Sequence, residues 1–272
     1  MTSSELRPVL DENDALRLLQ GGEFELEGRL VDASNTTLRG FLTLDGVTAR
    51  CVYKPIRGER PLWDFPDGTL AGREVSAYLL SRATGWDLVP PTVLRDGPLG
   101  PGACQLWIDE PEQAEPLVGF VPAPSLPDRW FRVAAARDED GAPYALAHAD
   151  DPRLARLAVL DAVINNADRK GGHVLVGPDD RIYGVDHGVC FHVEDKLRTV
   201  LWGWAHRDLP PDALEMLAEL SRGLAGPLGE SLAEHLTIGE LAALARRVDR
   251  LLATARFPEP SEEWPAIPWP PI

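Results

Sequence analysis

From Glu23 onward the hydrophobic and polar positions alternate with a period of two: Phe24, Leu26, Gly28 and Leu30 face charged or polar neighbours, the pattern of a half-buried strand. Leu38 to Leu44 and Val47 to Tyr53 predict two further strands, and Asp45-Gly46 between them is a two-residue hairpin turn. A polar turn, Asp32-Ala-Ser-Asn-Thr-Thr37, joins the first strand to the second. Ahead of them, Leu10 to Gly22 reads as a short helix with an acidic start and a glycine stop. After them, residues 68–82 carry Leu70, Val75, Leu79 and Leu80 at helical spacing and stop at Gly85, which predicts a helix behind the sheet. Pro91 to Arg95 and Ala103 to Ile108 are short apolar strands, and Asp109-Glu-Pro-Glu-Gln113 ends the second with charge and proline.

The second half has a longer period. Asp151-Pro152 is an N-cap followed by proline at the first helical position, and Leu154, Leu157, Ala158 and Asp161 continue a buried helix aimed at the loop from Asn165 to Gly172. Val174 to Val176 and Arg181 to Val185 predict a hairpin across Gly177-Pro-Asp-Asp180. From Pro210 the chain is helical, with a capping box at Thr237-Ile-Gly-Glu240. The Pro-, Ala- and Asp-rich segment 111–149, with Trp130 and Phe131 as anchors, reads as loop or short helices. A proline-studded tail from Phe257, with Trp264 and Trp269, is a polyproline-like arm, either draped on the surface or free. The expected architecture is α+β in two lobes: residues 1–109 with an antiparallel sheet, residues 110–256 mostly helical, and the tail 257–272.

Composition narrows the partners. The 272 residues hold 27 basic against 43 acidic side chains, a net charge of −16, which argues against a nucleic-acid backbone or an anionic membrane as the main partner. No apolar run reaches the roughly 18 residues of a membrane span. The start, Met-Thr-Ser-Ser-Glu-Leu-Arg, lacks the basic and apolar regions of a signal peptide, so a cytoplasmic protein without stable membrane association is expected. Cys51, Cys104 and Cys190 have no metal-site spacing and read as free thiols in a reducing compartment.

The candidate chemistry lies in two stretches, Asp161 to Val176 and Ile182 to Phe191. The first delivers Asp168 on a polar loop and the second delivers Asp186 at a strand end, followed at once by His187-Gly188. Two carboxylates so placed suit a proton acceptor and a metal ligand on either side of a reacting phosphate. Earlier in the chain Lys54 closes the third strand and Glu74 follows twenty positions later on the predicted helix, where it reads either as a surface carboxylate or as an ion pair that steadies Lys54.

This order resembles the protein-kinase-like fold. The match is nearest to its phosphatidylinositol 3- and 4-kinase-like branch, with related patterns in bacterial toxin kinases, in secretory-pathway kinases and in an actinobacterial group similar to the lipid kinases. Asn165-Asn-Ala-Asp-Arg169 looks like the catalytic loop of that branch, and Val185-Asp-His-Gly188 looks like its metal-binding Asp-x-Gly. The resemblance implies an ATP- and Mg2+- or Mn2+-dependent phosphotransferase acting on a protein or small-molecule hydroxyl. It implies Asp168 as the group that orients or deprotonates that hydroxyl, Lys54 on the phosphates steadied by Glu74, and Asp186 on the metal. Arg169 joins the catalytic group as a structural or acceptor-facing charge, and Lys170 as a charge for the transferred phosphate or a solvated loop lysine. Ser34, Asn35 and Thr36 would cover the phosphates, while Trp107 and Ile108 would line the adenine slot with backbone groups. The resemblance departs at His173, five positions after Asp168, where protein kinases place a metal-binding Asn. Imidazole suits Mn2+ better than Mg2+, so His173 reads as a metal ligand or as a hydrogen-bonding neighbour of one. Asn165 and Asn166 read as a second route to the metal or as caps on the helix end. A catalytically quiet nucleotide-binding scaffold and an AMP transferase are the competing readings.

Overall fold

A computed structural model describes residues 10–30, 35–66 and 69–272. Ser34 lies outside them. The chain divides into two compact units, the first formed by residues up to Arg60 together with Pro91–Trp107, the second by Pro61–Pro90 and Ile108–Ile272.

In the first unit the predicted alternation becomes a five-stranded antiparallel sheet of β1 (Glu23–Arg29), β2 (Leu38–Leu44), β3 (Val47–Pro55), β4 (Thr92–Gly97) and β5 (Gly100–Leu106), in the order β1-β2-β3-β5-β4. The β2–β3 turn works because Asp45 and Gly46 both take positive φ, 50° and 81°, as a two-residue hairpin requires. Helix α1 (Glu12–Gly21), N-capped by Asp11, lays Leu18 and Leu19 on Leu42, Cys51, Val93 and Cys104 of the sheet, and burial of this apolar cluster holds the unit together. All three cysteines are buried free thiols.

The second unit holds α2 (Leu70–Ala83), β6 (Val118–Pro122), β7 (Trp130–Arg137), β8 (Pro143–Ala149), α3 (Pro152–Ile164), β9 (Val174–Val176), β10 (Ile182–Gly184), α4 (Pro211–Leu224), α5 (Pro227–Ala233) and α6 (Ile238–Thr254). Two expectations change here. Segment 111–149, read as loop or short helices, forms a three-stranded antiparallel sheet in the order β6-β8-β7, with a bulge between Arg132 and Ala134 that breaks the two-residue alternation. Helix α2, expected behind the N-terminal sheet, clusters with the second unit. The reason is its partners: buried Arg73 ion-pairs with buried Glu240 of α6, and the helix packs on α5.

Helix α3 is the axis of this unit. Every residue from Leu154 to Ile164 except Arg156 is buried, and α6 packs along it. Asp151 caps its N-terminus by accepting from Arg153 N at 2.7 Å, with Pro152 at the first position. The tail after α6 is draped: Phe257 N–H donates to the Arg207 carbonyl, and the Phe257 ring stacks on Trp204. Among the described residues no helix is long and apolar enough to cross a membrane.

Candidate active site

The loop after α3 begins with a helix stop. Asn165 adopts the left-handed conformation (φ 55°, ψ 55°) that asparagine tolerates better than most residues. Its buried amide donates to the carbonyls of His192 and Glu194 and accepts from Lys196 N–H at 2.9 Å. Asn166, fully buried, donates to Asp161 Oδ1 and accepts from Asp168 N–H, both at 3.0 Å. Both amides thus help to build the loop, and these hydrogen bonds support the capping reading of the two asparagines.

Arg169 is the second component. It is 0 % exposed, and its guanidinium grips Asp161 in a two-pronged pair, Nε to Oδ2 and Nη2 to Oδ1, each 2.9 Å. It also donates to the carbonyls of His173 and Val185 and lies 2.7 Å from His187 Nε2. Burial opposes the positive charge, but the Asp161 carboxylate more than offsets it, so the arginine pKa is raised. Grouping Arg169 with catalytic or acceptor-facing residues is therefore corrected: it is a sealed clamp that ties the end of α3, the loop, His173 and the strand before Asp186 into one body. Asp161, eight residues upstream, is the partner that makes this burial tolerable.

Two carboxylates, Asp168 and Asp186, flank the clamp in sequence. Asp168 is half-buried, with Lys170 Nζ 3.5 Å from its Oδ2. Its pKa is raised, first by burial; Lys170 works against the rise and the Asp186 carboxylate adds to it. Asp186 is half-exposed, in the left-handed region at φ 61°, and its Oδ2 lies 3.5 Å from His173 Nε2. An aspartate in that backbone region persists only where neighbours fix it. Here the Val185 carbonyl is held by Arg169, Val185 N–H by the His173 carbonyl, and His187 N–H by buried Glu74 at 3.0 Å. Glu74 thus acts on the segment carrying Asp186.

Among the described residues no three His, Cys, Asp or Glu side chains form a complete cage for a metal ion. The donors instead form an open pair, Asp186 with His173, and Asp168 is close enough to feel the charge of Asp186. Such a set would fit an ion that takes most of its ligands from phosphate oxygens and water, and the imidazole in it suits Mn2+ better than Mg2+.

The structure thus brings Glu74, Asp168, Arg169, His173 and Asp186 together in the second unit. Lys54, Asn35, Thr36 and Trp107 belong to the first, and Ile108 is the first residue past the division. Lys54 is half-buried on β3, opposite Ala103 of β5. Thr36 N–H donates to the Gly58 carbonyl, and Asn35 Oδ1 accepts from Arg60 N–H, so the turn is pinned to the segment after β3. Trp107 gives its backbone N–H to the Arg50 carbonyl. Missed altogether was segment 198–200, which runs beside the loop: Arg198 N–H donates to Asn166 O, Arg169 N–H to Arg198 O, and Val200 N–H to Arg169 O. Its sequence, Arg-Thr-Val, carries no signal of that pairing.

No family model matches the chain. Protein Rv2133c of Mycobacterium tuberculosis is 50% identical over 266 residues, covering 95% of each chain. Among solved structures, the Golgi casein kinase with Mn/ADP bound superposes with a TM-score of 0.55 at 15% identity, over 90% of this chain and 75% of that one. The structure of hydra Fam20 with sugar gives a TM-score of 0.53 at 15% identity, over 92% and 90%. At such identities the likeness establishes the fold: this is an α+β chain of the protein-kinase-like type.

Proposed function

The chain belongs to the family of Protein Rv2133c of Mycobacterium tuberculosis, and for it we propose an ATP-dependent phosphotransferase that acts on a protein or small-molecule hydroxyl and uses Mn2+ or Mg2+. The observation that carries this reading is the half-buried Asp168 beside Lys170 and within the field of Asp186, mounted on the Arg169–Asp161 clamp of a kinase-like fold. One of the solved structures similar in fold holds Mn/ADP, which supports the nucleotide and the ion as a class.

In the proposed reaction Asp168 accepts the proton of the incoming hydroxyl as its oxygen bonds to the γ-phosphorus and the bond to the β-phosphate oxygen breaks, releasing ADP. A carboxylate pKa raised by burial makes Asp168 a better proton acceptor than a solvated aspartate. Lys170 is placed to balance charge on its other side. Asp186 and His173 would hold the divalent ion, which when bound supplies charge neutralisation for the phosphates. Glu74 fixes the backbone that presents Asp186. The resemblance assigns Lys54 to the phosphates, Ser34, Asn35 and Thr36 to their cover, and Trp107 and Ile108 to the base. It also assigns the phosphatidylinositol 3-/4-kinase-like branch, on the Asn165–Arg169 and Val185–Gly188 motifs.

Incubation with ATP labelled at the γ- or the α-position, first with Mg2+ and then with Mn2+, tests the reading. Label transfer from the γ-position alone is expected, lost in Asp168→Asn by about 10²- to 10⁴-fold, the usual contribution of a general base. Lys54→Met is expected to weaken nucleotide binding. Transfer from the α-position would replace phosphoryl transfer with AMP transfer. A nucleotide-dependent rise in Tm with no transfer would make the chain a binding scaffold.

A further inference from the structure

We infer that residues 258–272 form a strap that positions the catalytic loop, with Ala266 and Pro271 as its positioning residues; the inference rests on the phosphotransferase reading and concerns the same site. The strap leaves α6 at Phe257, anchored on Trp204 and on the Arg207 carbonyl. It then lays the Trp264 ring over the buried Lys196 ammonium at 4.4 Å. From there it bonds to the edge of the catalytic loop and the segment beside it. The Ala266 carbonyl accepts twice, from Thr199 N–H at 3.0 Å and from Trp202 Nε1 at 2.8 Å. The Pro271 carbonyl accepts from Gly171 N–H at 2.8 Å.

Those acceptors matter because of what their donors hold. Thr199 sits in the segment whose neighbours bond Asn166 and Arg169, so the strap grips the outer side of the strip that flanks Asp168. Gly171 is three residues past Asp168 and next to Lys170. A Cβ there would stand 2.4 Å from Ile272 Cδ1 and 3.2 Å from Val118 Cγ1, so the loop is seated directly against the strap. The inner side of the loop is fixed by Arg169 and Asn166. The strap is the matching restraint on the outer side. Its prolines keep the unbound segment extended, so little chain entropy is lost in holding it there. Loop misplacement of about 1 Å is enough to cost roughly 10²-fold in rate, so a backbone restraint of this kind acts on turnover before it acts on binding.

The test uses the full chain and a chain ending at Trp269, which loses the Gly171 contact but keeps the Trp264 and Ala266 anchors. With γ-labelled ATP and Mn2+, kcat of the shortened chain should fall roughly tenfold or more while KM for ATP stays within about twofold. Hydrogen–deuterium exchange should accelerate in residues 166–172 and stay unchanged in α6. A second chain ending at Phe257, supplied with a synthetic peptide of residues 258–272, should recover kcat. Unchanged kcat with unchanged exchange in 166–172 overturns the strap. If the full chain transfers no phosphate under any condition, the phosphotransferase reading fails instead, and the exchange comparison alone decides the strap: acceleration upholds the restraint and no change removes it.

Discussion

Asp168 is held by the fold in a way that stabilises its protonated form. A carboxylate whose folded-state pKa is raised favours folding below its unfolded pKa of about 3.9 and loses that advantage as pH rises through the folded value. At neutral pH the ionised Asp168 is therefore a local liability, and the same burial that makes it a stronger base lowers stability. Asp168→Asn should raise Tm at pH 7.5 and show no gain near pH 3.5; a lower Tm at pH 7.5 would contradict the burial argument. The acid limb of the rate profile should lie above the ordinary carboxylate range. His148 has the opposite sign. Burial lowers its pKa to about 4, with Nδ1 against the Ala149 carbonyl and Nε2 accepting from Gly203 N–H. Its neutral form stabilises the fold above pH 6.5, and the contribution is lost as pH falls toward 4. The loss amounts to about 3 kcal/mol from the displacement alone. Urea unfolding between pH 7 and pH 4 should show a correspondingly flatter pH slope in His148→Gln than in the parent chain.

Helix α3 and the strands around it depend on the Arg169–Asp161 pair. Removing one member of a buried pair strands the other charge, at about 3–5 kcal/mol, whereas replacing both with apolar groups is often close to neutral. Arg169→Met should therefore lower stability by an amount in that range, and Asp161→Leu combined with Arg169→Met should recover part of it. A double variant no more stable than the single one would show that the bonds to the His173 and Val185 carbonyls dominate. This pair also marks the limit of what the sequence discloses. Local rules located the strands β1 to β3, the Asp45-Gly46 turn, the Asp151-Pro152 start, the Thr237–Glu240 capping box and the Asn165 stop, because each depends on residues within one turn or one alternation. They could not tell a sealed Arg169 from an acceptor-facing one, since its burial depends on where α3 ends. They lost β6 to β8 because glycine, proline and alanine there blur the alternation and a bulge shifts its phase. The placement of α2 was beyond them too: Glu240 is 167 residues from Arg73 and the His187 backbone 113 from Glu74.

At the scale of the whole chain, a net charge of −16 means that folding gathers like charges, and their repulsion at low ionic strength opposes the compact state. Salt shortens the reach of that repulsion to about 8 Å at 0.15 M, so Tm at pH 7.5 should rise between 20 mM and 300 mM NaCl. The rise should shrink toward pH 5, where carboxylates begin to take up protons. The same charge affects how a metal effect is recognised, because Mn2+ or Mg2+ stabilises an acidic surface without entering any site. At fixed ionic strength, the increment that would belong to the proposed Asp186–His173 site is the part that needs both nucleotide and ion. Asp186→Ala should abolish that increment while leaving the stabilisation by Mn2+ alone unchanged, because one carboxylate among 43 acidic residues hardly alters the surface field. Thermal unfolding of both chains with Mn2+, with ADP and with the two together separates these contributions. Equal nucleotide-dependent increments in the two chains would mean that the ion binds without Asp186 and that the proposed site is misplaced.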